Sequence, residues 1–148
     1  SRLELSSVQR SIGNSISEKS DIYIVDTLGE LGLFYSLVDI VFIGGSLVRH
    51  GGQNIAEAAR LGCAITCGPH MFNFTGITER LTKADALTTV CNAKELANEV
   101  CLLLSNKDLV RRRAEIGMKI VEIDTETAQQ MLKDIVNIFR LYLRLDKQ

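Results

Sequence analysis

Asn54, Ile55, Ala56 and Glu57 stand where an asparagine can cap a helix and a glutamate falls three residues later, just after two glycine breaks, Gly44-Gly45-Ser46 and Gly51-Gly52. A carboxylate held in a first helical turn beside a glycine loop can accept both hydroxyls of a ribose. Free N–H groups of the same turn face a phosphate. The alternative is a plain capping box, in which Asn54 and Glu57 satisfy backbone donors reciprocally. The chain carries its own control, because Asn92-Ala93-Lys94-Glu95 repeats the pattern with no glycines ahead of it. A cap of this kind therefore does not by itself indicate a ligand.

Thr27-Leu28-Gly29-Glu30 gives the pattern a third time, and a glycine inside a first turn costs about 1 kcal/mol against alanine. Either a base or ribose lies over Gly29, or the turn packs tightly on a neighbouring strand. Gly44, Gly45 and Ser46 could line successive N–H groups around a phosphate, with the Ser46 hydroxyl as a further donor. The competing reading is a tight turn that lets strand and helix pack. The spacing is neither G-x-G-x-x-G nor a P-loop. Arg49 and His50 could meet a diphosphate or carboxylate, or be solvated loop residues. His70, after Gly68-Pro69, could touch substrate or bond to backbone, and Asn73-Phe74 are expected to start the next helix by capping and packing. Two histidines and no clustered carboxylates lead us to expect no metal site.

These residues need elements to hold them. Asp21–Val25, Ile40–Ile43, Cys63–Cys67 and Ala86–Val90 read as short strands rich in β-branched and apolar residues. Helical spacing follows each: Leu28–Val38 with Leu31, Phe34, Tyr35 and Val38 on one face, then Ile55–Leu61, Thr75–Lys83, and a helix from Asn92 to Leu104. A leading helix is expected over Leu3–Ile12, and two closing helices over Lys107–Ile123 and Thr125–Leu145. The last has Met131, Leu132, Ile135, Val136, Ile138 and Phe139 as its apolar side, expected to cover the sheet or another domain. Arg140, Arg144 and Lys147 flank it, so contact with a membrane surface is the other option. Strands alternating with helices imply parallel pairing and right-handed crossovers, hence an α/β doubly wound, Rossmann-like parallel sheet with a helical C-terminal extension. Ligands in such sheets bind at strand C-termini, beyond Val25, Ile43, Cys67 and Val90.

The 148 residues suit one domain, and a leading helix with no strand before it suggests a chain that starts inside a domain. With 17 basic and 18 acidic residues, no global field favours nucleic acid or anionic lipid. No apolar run approaches the roughly 18 residues of a membrane span, and the first residues lack the basic-then-apolar order of a secretory signal. Cys63, Cys67, Cys91 and Cys101 form no CxxC pair and sit in apolar surroundings, which fits reduced core thiols in the cytosol.

Asp26-Thr27-Leu28-Gly29-Glu30-Leu31, Tyr35, Phe42-Ile43-Gly44-Gly45-Ser46-Leu47-Val48, Gly51-Gly52, Asn54, Glu57-Ala58-Ala59, Gly68-Pro69-His70 and Asn73-Phe74 together resemble the C-terminal half of bacterial 3-deoxy-D-manno-octulosonic acid (Kdo) transferases. The match is good over about residues 21 to 104. It implies the GT-B glycosyltransferase architecture, two Rossmann-like domains facing a cleft, with this chain as the nucleotide-binding one. It also implies a CMP-Kdo donor, a lipid A precursor as acceptor through an absent N-terminal domain, inverting and metal-independent transfer, and work at the cytoplasmic face of the inner membrane. The nucleotide contacts it implies are Leu28, Gly29 and Glu30, and Asn54, Ile55, Ala56 and Glu57, over a floor of Gly44, Gly45 and Ser46. A Pro-Arg contact and the catalytic glutamate of the family have no counterpart here, so the isolated chain is expected to bind nucleotide weakly and not turn over. Gln53 stands where the family commonly has histidine, and Ala56 where it has leucine. The alternatives left open are a UDP-sugar GT-B enzyme or epimerase, and a non-catalytic interaction module.

Overall fold

The computed structural model describes residues 4–13 and 15–145. The chain forms two compact units, residues up to Phe34 and residues from Tyr35 on. In the first, β1 (Ser7–Gln9) pairs in parallel with β2 (Ile22–Ile24), Val8 opposite Tyr23. The expected leading helix is thus a strand, with Leu3 outside the described residues. Its polar side chains explain the difference. The Asp21 carboxylate accepts from the Ser6 N–H (2.9 Å) and hydroxyl (3.0 Å), and Asp26 accepts from the Ser11 N–H (3.0 Å) and hydroxyl and from the Gln9 amide. Two acidic residues flanking β2 hold the first strand in place through contacts too distant in sequence for any periodicity to show.

A helix expected from Leu28 begins only at Leu31 and ends at Tyr35 (α1). Gly29 has φ +82°, which no helix accommodates, so the turn must finish first. The Glu30 carbonyl then accepts the first helical bonds, from Leu33 (3.0 Å) and Phe34 (3.3 Å). Of the expected apolar face, Tyr35 is buried, whereas Leu31 and Val38 are exposed.

In the second unit β3 (Ile40–Phe42), β4 (Ala64–Cys67) and β5 (Leu87–Thr89) form a parallel sheet in that order. Every residue of the central strand β4 is buried. Between the strands lie α2 (Ile55–Arg60), a short 3-10 turn at Phe72–Phe74 and α3 (Thr75–Lys83). Asn73 does not cap α3, whose start has no side-chain cap; Phe74 packs against the core instead. Ile43, Ile65 and Cys67 meet Ile55, Ala58 and Ala59 of α2, Leu81 of α3 and Val121 of the last helix in one cluster. Burying each isoleucine contributes about 1.5–3 kcal/mol. Cys63 and Cys67 are core thiols, their pKa raised by burial, but Cys91 and Cys101 are exposed, so the expected core setting holds for half of them.

After α4 (Ala93–Ser105), the chain from Lys107 to Leu145 is a single 39-residue helix, α5, and not two. No glycine or proline interrupts it near Asp124. The Thr125 and Thr127 hydroxyls bond back to the carbonyls of Val121 (2.9 Å) and Ile123 (2.8 Å) of the preceding turn, so neither caps a new helix. Its first half packs, with Ala114 and Val121 buried and Asp124 paired with Arg80 of α3. Met131, Leu132, Ile135, Val136, Ile138 and Phe139, expected to be covered, are exposed in the described residues. Lys147 lies outside them. No described helix is long and apolar enough to cross a membrane.

Candidate functional site

Gly44-Gly45-Ser46 leaves the C-terminal end of β3, where the sheet's architecture places ligand loops. The loop is fastened from below. The Ser46 hydroxyl, fully buried, donates to the Ile43 carbonyl and accepts the Gly68 N–H at 2.7 Å, and the Ser46 carbonyl takes the His70 N–H at 2.9 Å. With its one proton spent on Ile43, that hydroxyl is a brace and not the phosphate donor the sequence suggested. Gly68 is the other half of the brace, since a Cβ there would overlap the Ser46 backbone.

Three glycines of the loop are accounted for by the chain itself. Gly45, Gly51 and Gly52 have φ of +69°, +100° and +75°, and a Cβ on them would meet His50, Asn73 and Met71 respectively. Gly44 is different. Its φ is ordinary and a Cβ would meet nothing within 4 Å. Neither backbone strain nor internal packing requires glycine there.

At Asn54 the cap forms, but not as the reciprocal box. The Asn54 side chain accepts from the Ala56 N–H at 3.0 Å, one residue short of Glu57. Among the described residues no hydrogen bond or ion pair reaches the Glu57 carboxylate, not even from Arg60 one turn on. At Asn92 the same four-residue pattern engages both side chains. The Asn92 side chain accepts from the Glu95 N–H (3.0 Å), and the Glu95 carboxylate accepts from the Cys91 N–H (2.7 Å) and the Asn92 amide (2.8 Å). The incoming chain makes the difference: Asn92 is fully extended, φ −157° and ψ 171°, whereas Asn54 follows two left-handed glycines and has ψ 112°. Glu57 is half-buried, and its charge reaches the phenol of buried Tyr35, whose pKa is raised by burial first and by Glu57 second. The loop thus presents an open glycine and an uncommitted carboxylate.

The turn at Leu28, Gly29 and Glu30 belongs to the first unit. Leu28 is fully exposed, and a Cβ on Gly29 would meet nothing within 4 Å, so its left-handed backbone, not packing on a strand, accounts for the glycine. Glu30 is not at the third position of a helix and makes no capping box. Its carboxylate takes the Arg10 guanidinium side-on, Nε at 2.6 Å to one oxygen and Nη2 to the other, and also the Thr27 hydroxyl. Arg10 first and Thr27 second hold Glu30 down to a pKa of about 2. Nothing in the sequence marked Arg10, because the residue it serves is 20 positions away. Arg49 and His50 are exposed, and His50 packs on Gly45.

An apolar groove of about 420 Å³ between α2, α3 and α5 touches the cap only at Ala56 and Arg60. Its walls suit side chains better than a nucleotide. No cluster of three His, Cys, Asp or Glu able to hold a metal occurs among the described residues.

Comparison with known proteins gives the fold and the family. No protein-family model matches the chain. Among solved structures, the C-terminal CMP-Kdo binding domain of WaaA from Acinetobacter baumannii superposes with a TM-score of 0.75 at 30% identity, over 79% of this chain and 61% of that one. The fold is therefore that of the C-terminal, nucleotide-binding domain of a GT-B glycosyltransferase. Among curated proteins, the 3-deoxy-D-manno-octulosonic acid transferase of Rickettsia prowazekii is 35% identical over 126 residues, 84% of this chain and 26% of that protein. The Haemophilus influenzae enzyme of the same name is 32% identical over 130 residues, 87% of this chain and 30% of that one. This chain belongs to the Kdo transferase family, and it spans about a quarter to a third of the length of the relatives it matches.

Proposed function

We propose that this chain is the donor-binding part of a Kdo transferase, holding CMP-Kdo by its nucleotide. The observation that carries this reading is the uncommitted Glu57 carboxylate beside the open Gly44. A carboxylate with both oxygens free matches the two adjacent hydroxyls of a ribose, and charge-assisted bonds of that kind are the strong ones. Gly44 lets the nucleotide approach the main chain, and Asn54, Ile55 and Ala56 set the turn that carries Glu57. Gly45 and Ser46 fix the loop's shape. The exposed turn of Leu28, Gly29 and Glu30, in the first unit, offers a nucleotide contact of its own.

In the transfer, an acceptor hydroxyl of a lipid A precursor attacks the anomeric carbon of Kdo, and CMP departs carrying the bond's electron pair on its phosphate. The base that takes the hydroxyl proton, and the acceptor site, belong to parts of the enzyme this chain does not match. CMP-Kdo carries one phosphate and not a diphosphate, so fixed backbone dipoles suffice and no metal is needed. The lipid acceptor puts this work at the cytoplasmic face of the inner membrane.

Calorimetric titration of the chain with CMP, UMP and UDP tests the reading. CMP-selective heat that survives EDTA supports it. A preference for UDP points to a diphosphate-sugar enzyme, and no heat with any nucleotide contradicts nucleotide binding by this chain.

A further inference from the structure

Both histidines of the chain, His50 and His70, fall on the loops that leave β3 and β4, and Arg49 stands beside the first of them. The two loops are tied together through their backbones. The His70 N–H donates to the Ser46 carbonyl at 2.9 Å, the Gly52 N–H to the Gly45 carbonyl at 3.2 Å and the Asn73 N–H to the Gly51 carbonyl at 3.4 Å. The His50 N–H bonds to the Val48 carbonyl at 2.7 Å, and its imidazole lies back on Gly45, where a Cβ would stand 2.9 Å from its Cδ2. The His70 carbonyl is 3.5 Å from where a Cβ on Gly52 would be. The ring of His50 and the main chain of His70 thus flank the Gly45-Ser46 segment. The charge around that segment is one-sided, since the only acidic residue between Ile40 and Thr78 is Glu57. Arg10, Arg80, Arg112 and Arg113 each pair with a carboxylate. Among the described residues no hydrogen bond or ion pair engages the side chain of Arg49, His50 or His70, not even from Glu57. A pinned loop with donors of one sign suits an anion: the arginine fork matches a carboxylate, and imidazole N–H groups add to it.

We propose that Arg49, His50 and His70 form a carboxylate site that recognises the acidic sugar of the donor. An ulosonic acid bears its carboxyl group on the same carbon that is joined to the phosphate, so the two anions lie side by side and call for separate donors. The main chain at the open Gly44 serves the phosphate, and the three side chains serve the carboxylate. A neutral sugar on the same nucleotide leaves Arg49 unanswered, which makes the loop a specificity element. The proposal rests on the donor-binding reading for its nucleotide, and every group it uses belongs to the second unit.

The test titrates the 148-residue chain and its Arg49→Met, Arg49→Lys, His50→Gln and His70→Gln variants with two ligands, CMP-Kdo and the methyl ester of CMP. The ester carries the same phosphodiester charge and no carboxylate. Affinity is read by calorimetry, with melting curves showing each variant folded. Arg49→Met is expected to weaken CMP-Kdo about tenfold, the scale of one charge-assisted hydrogen-bonded pair, and to leave the ester unchanged. Arg49→Lys keeps the charge without the fork and should lose less. His50→Gln and His70→Gln should each weaken CMP-Kdo severalfold, again without effect on the ester. Equal CMP-Kdo affinity in Arg49→Met and wild type overturns the proposal. So does an equal loss for both ligands, which would put Arg49 on the phosphate.

A second readout does not need the nucleotide. Free Kdo and its neutral methyl ester are added at matched ionic strength while the ring signals of the two histidines are followed by NMR. Kdo should move both sets of signals and the ester neither, and the shifts should shrink in Arg49→Met. Absence of heat with CMP, its ester and CMP-Kdo in the wild type overturns the donor-binding reading. The sugar comparison then decides for the loops by itself, since equal shifts from Kdo and its ester, or none from Kdo, contradict a carboxylate site.

Discussion

Asn54–Glu57 and Asn92–Glu95 are the same four-residue device at the starts of two helices, and they do different things. At Asn92 the chain arrives extended, and the carboxylate turns back onto the Cys91 N–H and the Asn92 amide, so both its oxygens are used within the protein. At Asn54 the chain arrives through two left-handed glycines, the asparagine bonds one residue early, and the carboxylate is left over. The first is a piece of stability and the second keeps something in reserve. The path of the backbone into a cap therefore decides whether its carboxylate is used within the protein.

That path can be broken first at Gly68. Its close contact with Ser46 holds the glycine loop, and Gly68→Ala should cost toward the upper end of the overpacking range, about 3 kcal/mol, read as a lowered denaturant midpoint at unchanged slope. Gly44→Ala should do the opposite. With an ordinary φ and open space around its Cβ, it should leave stability within about 0.5 kcal/mol while reducing CMP affinity severalfold. Loss of stability without loss of binding at Gly44 would show that the open glycine has nothing to do with a ligand. Below Gly68, Asn92→Ala should destabilise by about 1 kcal/mol, and Asn54→Ala by less, because Asn92 anchors a wider network and Asn54 supplies one bond.

A pH dependence separates the two units. Asp26 and Glu30 both have folded pKa values lowered to about 2 from ordinary values of 3.8 and 4.5, Asp26 by the Ser11 hydroxyl and then Gln9, Glu30 by Arg10 and then Thr27. A depressed folded pKa stabilises fully above the unfolded value and loses that stabilisation as pH falls through the folded one. The first unit should therefore weaken between about pH 4.5 and about pH 2. Amide exchange at β2 should accelerate over that window, and less steeply in Arg10→Met, which keeps the Asp26 contribution but loses that of the Arg10 clamp on Glu30.

Much of this was legible in the sequence. The alternation of strands and helices, the bounds of α3, and the glycine loop at a strand end follow from local pattern, because each is decided by residues within one turn of each other. The strand β1 was not legible. Its stability comes from Asp21 and Asp26, 15 residues away from the serines they hold, and its few apolar residues sit at spacings that mimic a helix. The union of the last two helices was hidden for a related reason: threonines that look like a break bond back to the preceding turn. At Gly29 the sequence offered ligand or packing, and the left-handed turn with open space around it removes packing as the reason. Glu57 and Glu95 could not be told apart, since four residues do not encode the direction from which the chain reaches them.

The central claim is that the carboxylate of one cap serves a nucleotide and that of the other serves the fold. Glu57→Gln and Glu95→Gln, each titrated with CMP and each melted, test it in one experiment. Glu57→Gln should weaken CMP binding about ten- to a hundredfold with its melting temperature unchanged, the scale of hydrogen bonds to a charged group. Glu95→Gln should bind CMP as the wild type does and melt a few degrees lower. Equal CMP affinity in Glu57→Gln and wild type, or a melting loss at Glu57 matching that at Glu95, would contradict the account.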